Sequence, residues 1–394
     1  MTSGNEHTQW YFTSTKNGEF RLNSKAERLA TALNVQKIDI GTIRALSMNG
    51  NPDEPNGLRA LIWKLLLEYL PEDTSEWESV LASHRQNYEI LKEEVMIVPS
   101  VEDVDHPLSN SQSSRWKTYF EDQEVWEIID KDIRRTRHDM FFFLKPADPS
   151  LSFEDVANGN IPRRKYARPF LTEFVDVVAD QESNPYLHAL LNNENIEKHA
   201  DVTARILFIY AKLNKNVKYV QGMNEILAPI YYLFCMDRHP LFDGHAEADS
   251  FFCFTSVMSS LRDSFVKTFD LSESGLKGHL KKINKLIKFH DREMYEKLKE
   301  LKVSTYYYAV KWVLLLFGQE LPLPELFRLW DYLFADPDRF SYLHYFCTAV
   351  VLRAKTAVMG GDLAEALTAL QHPCLDDIQE IIAHAQQLAA CAHD

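Results

Sequence analysis

Apolar side chains recur at three- and four-residue steps along almost the whole of this 394-residue chain, while period-two alternation bounded by turn residues is almost absent. A chain patterned this way can shield its apolar stripes only by packing helix against helix, so the fold class is all-α. LRALIWKLLLEYL (58–70) sets Leu58, Leu61, Ile62, Leu65, Leu66 and Tyr69 on one side and should run until Pro71 stops it. EVWEIIDKDIRR (124–135) does the same with Val125, Ile128, Ile129 and Ile133. The same period predicts helices over 77–94, 166–180, 201–213, 223–235, 246–268, 275–300, 304–317, 323–334, 340–357, 362–370 and 375–390.

Two stretches lack the period. Residues 99–115 are rich in Pro, Ser and Asp, and 145–165 carry KPADPSL, a GNG turn and the basic run Arg163-Arg164-Lys165. Both read as loops inserted in one domain, because helices resume directly after them. DRHPLFDGH (237–245) also breaks the pattern. It divides an expected domain over 41–394 into subdomains of about 41–240 and 241–394, behind an N-terminal segment, 1–40. No repeat near 34 or 40 residues is visible, which argues against a solenoid.

The formal charge of −14, with no basic run longer than three residues, excludes an ordinary nucleic-acid binder and gives an anionic membrane little to hold. The most apolar stretches, 226–236 and 309–317, fall far short of the roughly 20 residues that span a bilayer, so no direct membrane insertion is expected. The N-terminal MTSGNEHTQW is polar and unlike a signal peptide. Five scattered cysteines, without zinc-ligand spacing, fit a reducing, cytoplasmic compartment.

Three short motifs bear on chemistry. IDKDIRRT (129–136) has the form I-x-x-D-x-x-R-T: on a helix Ile129 and Ile133 face inward, and Asp132 and Arg135 are i,i+3 neighbours on an outer face. Asp132 can then hold the Arg135 guanidinium by a charge-assisted hydrogen bond. YVQGMNEI (219–226) follows a helix and the turn Asn214-Lys215-Asn216 and opens the next helix; Gly222 permits a tight backbone and leaves Gln221 on a rim. In GLRALIWKLLL (57–67) Arg59 and Trp63 are i,i+4, so guanidinium and indole can stack or brace a neighbouring segment. Each motif also has an ordinary reading: a surface ion pair, a helical corner, a core tryptophan beside a solvated arginine.

Together and in this order, the blocks resemble the TBC family of Rab GTPase-activating proteins. The family pattern runs from G-x-P and L-R-x-x-W through I-x-x-D-x-x-R-T to Y-x-Q-G, and LFRLWDYLF (326–334) is similar to its late R-x-W-D helix. The resemblance spans about residue 45 to the C-terminus. One departure is visible: Gly50-Asn51-Pro52 is separated from Leu58-Arg59 by Asp53 to Gly57. The resemblance implies many short helices in two subdomains, with a groove for a GTP-bound Rab-family GTPase.

It also implies the chemistry. In GTP hydrolysis negative charge spreads over the transferred phosphoryl oxygens, and an inserted arginine neutralises it, raising the rate by about 10³–10⁵. By resemblance Arg135 is that arginine, and Gln221 orients the attacking water in place of the GTPase's own glutamine. Asp132 would orient Arg135, Arg59 and Trp63 would brace the rim, Tyr219 would pack beneath the Gln221 loop, and Gly222 would let it turn. The chain would have no cofactor of its own, since it contains neither a Walker P-loop nor G-x-G-x-x-G; GTP and Mg²⁺ would be carried by the partner. The partner would also bring the chain to vesicles or endomembranes. Two alternatives stand beside this reading. One is a TBC-shaped adaptor that binds a GTPase without stimulating it. The other is an enzyme with a metal held by His279, His290, Asp291 and Glu293, although HDRE lacks the H-E-x-x-H arrangement.

Overall fold

A computed structural model describes residues 6–13, 24–96, 115–137, 140–151, 196–265 and 275–392. Its described chain opens with α1 (Glu6–Thr13), α2 (Ser24–Leu33), α3 (Ile40–Ser47) and α4 (Leu58–Leu66). Next come α5 (Trp77–Val95), α6 (Arg115–Ile133), α7 (His199–Leu213) and α8 (Met223–Cys235). The C-terminal part holds α9 (Ala246–Phe265), α10 (Leu276–His290), α11 (Arg292–Glu300), α12 (Tyr306–Leu315), α13 (Leu323–Phe334), α14 (Ser341–Arg353), α15 (Lys355–Gly360), α16 (Leu363–Gln371) and α17 (Ile378–Cys391). Among the described residues the only β pairing is two isolated bridges, Lys37 with Asp73 and Pro146 with Lys198. The fold is all-α, as the periodicity requires.

Local chemistry moves several of the expected boundaries. Residues 275–300 form two helices because Asp291 ends one and caps the other. Its N–H bonds the Ile287 carbonyl at 2.8 Å, and its carboxylate accepts the Met294 N–H at 2.9 Å. α4 stops at Leu66, short of Pro71: Glu68 takes a left-handed conformation (φ 61°), and the Tyr69 and Leu70 amides converge on the Lys64 carbonyl at 2.9 and 3.1 Å. α6 begins at Arg115, and 340–357 breaks at Ala354. Residues 99–114, the basic run Arg163-Arg164-Lys165 and the helix expected over 166–180 lie outside the described residues.

The chain divides into two compact units, residues 84–232 and residues 1–83 together with 233–394. A single cut near 237–245 does not give this division, because the N-terminal segment belongs with the C-terminal half. A buried cation explains why. Lys64 on α4 is fully enclosed, with Nζ 3.2 Å from Asp237 Oδ2 and 4.0 Å from Asp249 Oδ2, and it lies 3.8 Å from the Phe242 ring centroid. Tyr11 of α1 donates to the two Asp237 oxygens at 3.2 and 3.0 Å, and Tyr69 donates to Asp249 at 2.7 Å. Burial, with the Asp237 charge beside it, pushes the Tyr11 pKa well up, so its phenol remains a donor. Residues expected to lie ahead of the domain therefore complete its core.

Replacing Lys64 by Met would leave Asp237 and Asp249 without their cation in a dry interior. Removing one partner of a buried pair costs about 3–5 kcal/mol. Urea denaturation of Lys64→Met should show a loss of that size; an unchanged midpoint would mean that the two carboxylates do not depend on the lysine.

Candidate functional site

Both motifs with candidate catalytic residues lie in the unit formed by 84–232. α6 and α7 are fastened side by side there: Trp126 stacks on Phe208 with ring centroids 4.5 Å apart, and Lys212 Nζ reaches the Asp122 oxygens at 2.7 and 2.9 Å. Ile129 and Ile133 are buried as the period predicts, whereas Ile128 is 46% exposed. Past Ile133 the chain turns. The Thr136 hydroxyl donates to the Asp132 carbonyl at 3.0 Å and Arg137 is left-handed (φ 44°), so Arg135 stands where the helix ends.

Asp132 is not on an outer face. It is 5% exposed, and its carboxylate faces the 219–222 loop. Oδ2 accepts the Tyr219 hydroxyl at 2.7 Å and the Gly222 N–H at 3.2 Å, while Oδ1 lies 3.7 Å from an Arg135 terminal nitrogen. The expected tight bond to the guanidinium is therefore replaced by a looser ion pair. The closer hold on Arg135 comes from the Lys131 carbonyl, which accepts Nε–H at 3.0 Å. The side chain remains 68% exposed. Arg134 differs, since its Nε donates to Asp130 at 2.9 Å and its side chain is only 22% exposed.

The glutamine loop is set from both ends. The Asn214 side chain and backbone N–H both bond the Tyr210 carbonyl, at 2.9 and 3.0 Å, and end α7. Lys218 and Gly222 take positive φ, 56° and 98°; at Gly222 a β-carbon would be strained just where the N–H must point at Asp132. Tyr219 is buried, and burial together with the Asp132 charge raises its pKa far above the usual phenol value, keeping it a donor. Asn224 adds a second cross-link, donating to Thr136 Oγ1 at 2.7 Å and accepting from Tyr219 at 3.2 Å. Gln221 is left exposed at the loop's apex. Thr136 and Asn224 lie inside the quoted motifs, but their mutual bond across the two segments is not readable from the sequence.

Arg59 and Trp63 belong to the other unit and are interior, 6% and 0% exposed, so neither presents a face to a rim. They do not stack on each other: the Arg59 guanidinium lies over Phe327 at 5.7 Å, and Trp63 packs edge-on against Phe327 and Phe334 at 5.5 and 5.0 Å. Their shared partner is Asp331, fully buried on α13. Oδ2 accepts from Arg59 Nε at 3.1 Å and Asn51 N at 2.6 Å; Oδ1 accepts from Trp63 Nε1 at 2.7 Å and Asn51 Nδ2 at 2.8 Å. Asp53, one of the residues that lengthen the first block, gives Arg59 a second carboxylate at 2.7 Å. Burial alone would lower the Arg59 pKa, but the Asp331 and Asp53 charges outweigh it and leave the value raised. Rather than bracing a rim, this pair ties α4 to α13.

Three of the four side chains considered for a metal are engaged elsewhere. His279 Nδ1 lies 2.7 Å from His344 Nε2, and Asp291 and Glu293 share Lys355 at 2.7 and 3.1 Å. No group of three or more His, Cys, Asp or Glu among the described residues could hold a metal ion.

Comparison with known proteins accords with the motifs. A family model described as the Rab-GTPase-TBC domain matches residues 182–359, a span that holds the 219–222 loop and the 326–334 helix. TBC1 domain family member 13 of Homo sapiens is 38% identical over 377 residues, covering 89% of this chain and 94% of its own length. A TBC domain-containing protein of Schizosaccharomyces pombe is 31% identical, covering 88% of this chain and 70% of its own. The crystal structure of the Ypt/Rab-GAP domain of Gyp1p shares the fold, with a TM-score of 0.63 at 20% identity over 94% of this chain and 100% of that one.

Asp331 and Asp53 both face Arg59, but one is fully buried and the other has a side chain 66% exposed. Asp331→Ala strands four donors and should cost about 3–5 kcal/mol in chemical denaturation. Asp53→Ala, at a solvated pair, should cost no more than about 1 kcal/mol. Equal losses would contradict the assignment of Asp331 as the tie.

Proposed function

This chain belongs to the TBC domain family of Rab GTPase-activating proteins, and we propose that it stimulates GTP hydrolysis on a GTP-bound Rab by presenting Arg135 and Gln221 to the partner's nucleotide. The carrying observation is that one buried carboxylate, Asp132, bonds the loop that exposes Gln221 and lies beside the exposed Arg135. A protein that only bound a GTPase would have no need to tie the loop carrying an exposed amide to the helix end carrying an exposed cation.

Each group has a defined task. The planar Arg135 guanidinium contacts several phosphoryl oxygens at once and offsets the charge that spreads over them in the transition state. Because among the described residues it is held only by the Lys131 carbonyl and a 3.7 Å ion pair, it can leave those contacts at little cost when a phosphate presents itself. Gln221 offers an amide oxygen to accept a proton of the attacking water and an N–H₂ to donate to a phosphoryl oxygen. Tyr219, Gly222, Asn224 and Thr136 keep the Gln221 backbone in place, so little ordering is required at the moment of reaction. Mg²⁺ and GTP arrive with the Rab.

The test is single-turnover hydrolysis across a panel of GTP-loaded Rabs. With a responsive Rab, Arg135→Lys should keep the charge yet lose about 10³-fold or more of the stimulation. Arg134→Ala, whose guanidinium is already paired with Asp130, should remain close to wild type. The reverse pattern would move the finger to Arg134. A Rab lacking its own switch glutamine should still be stimulated, since Gln221 supplies that function; complete resistance despite normal binding would remove Gln221 from the mechanism.

A further inference from the structure

Net charge hides a local feature of α10. The helix LKGHLKKINKLIKFH carries Lys277, Lys281, Lys282, Lys285 and Lys288 and no acidic residue. All five lysines are exposed, and none forms an ion pair with a described residue. At 100° per residue they fall, together with Phe289, within an arc of about 140° on the helix surface. Leu276, Leu280, Ile283 and Ile287 fill the opposite, buried face. No run of adjacent basic residues longer than two occurs in the helix, so the stripe emerges only when the chain is wound.

The apolar side chains beside this stripe are equally unusual. Phe289 is 65% exposed, and Tyr306 and Tyr307 at the start of α12 are each 57% exposed. The Thr305 hydroxyl donates to Asn284 at 2.6 Å, which brings that tyrosine pair alongside α10. On the following helix Glu293 is already paired with Lys355 and Glu300 with Lys297, at 3.1 and 3.9 Å, which leaves Glu296 as one exposed carboxylate beside five lysines.

We propose that α10, with Phe289, Tyr306 and Tyr307, is a peripheral docking face for an anionic phospholipid bilayer. The residue types favour a lipid surface over a protein partner. Protein interfaces are depleted in lysine and select arginine, whose fork makes directional bonds. A row of flexible ammonium groups on a convex helix suits a diffuse negative surface, and long lysine stems keep the charges at the headgroups while an aromatic ring enters the interface. Each lysine adjacent to such a surface strengthens binding by a factor of about five. The helix lies on the surface and spans nothing, in keeping with the absence, among the described residues, of any helix long and apolar enough to cross a membrane.

The experiment is vesicle co-sedimentation of the full chain, using phosphatidylcholine vesicles with and without phosphatidylserine, at low and high salt. The wild type should bind the phosphatidylserine vesicles, bind neutral vesicles poorly, and release as salt screens the charges. The Lys281→Gln, Lys285→Gln, Lys288→Gln triple variant should lose about a hundredfold in partitioning while its stimulation of a soluble Rab is unchanged. The corresponding triple Lys→Arg variant keeps the charge and should keep the binding, which separates charge loss from misfolding. No binding to phosphatidylserine vesicles at low salt, or equal binding by the Gln variant, would overturn the proposal. A Gln variant that binds vesicles normally but fails to stimulate a soluble Rab would assign the stripe to an acidic protein instead.

Discussion

The Asp132 carboxylate is sealed under the end of α6, and a buried anion is tolerated only where donors converge on it. Here the donors come from a segment 87 to 90 residues further along the chain, the Tyr219 hydroxyl and the Gly222 amide. Satisfying one charge thereby closes a long loop and fixes the 219–222 turn against the arginine helix. The remaining oxygen faces Arg135 without gripping it. In this arrangement one carboxylate both pairs its buried charge and ties the loop of one candidate finger to the helix of the other.

Asp331 repeats the device in the other compact unit. Its four accepted bonds draw together Asn51, Arg59 and Trp63, so the opening block is held through α13. Lys64, between Asp237 and Asp249, is the same principle with the sign reversed. Non-local polar ties of this kind specify which helices of an all-α chain are neighbours, a choice that apolar periodicity alone leaves degenerate.

Much of the helical content was legible because a stripe of apolar residues can be buried in one way only, and α5, α7, α8 and α13 lie close to where the spacing predicts. The boundaries were less so: Asp291 splits 275–300 by capping, and the spacing of Ile and Leu carries no trace of that. The candidate finger residues were legible as types in motifs, yet their support was misjudged. An i,i+3 spacing puts Asp132 near Arg135 but cannot reveal that Tyr219 and Gly222 compete for the same carboxylate. Arg59 was assigned to a rim because arginine is ordinarily solvated, whereas its partner Asp331 lies 272 residues away. The lysines of α10 form no run longer than two in the sequence for a related reason: a helix gathers charge at i, i+4.

The central claim is that Asp132 holds the Gln221 loop against the helix that ends in Arg135, and a thermodynamic cycle on stimulated single-turnover GTP hydrolysis by a Rab tests it most directly. The cycle uses Asp132→Ala, Gln221→Ala and the double variant, at saturating activator with folding checked by circular dichroism. If Asp132 acts through the 219–222 loop, removing it should matter far less once Gln221 is gone, and the double variant should be less impaired than the product of the two single losses. Losses that multiply without coupling would show that the carboxylate and the glutamine act independently, and would contradict the account.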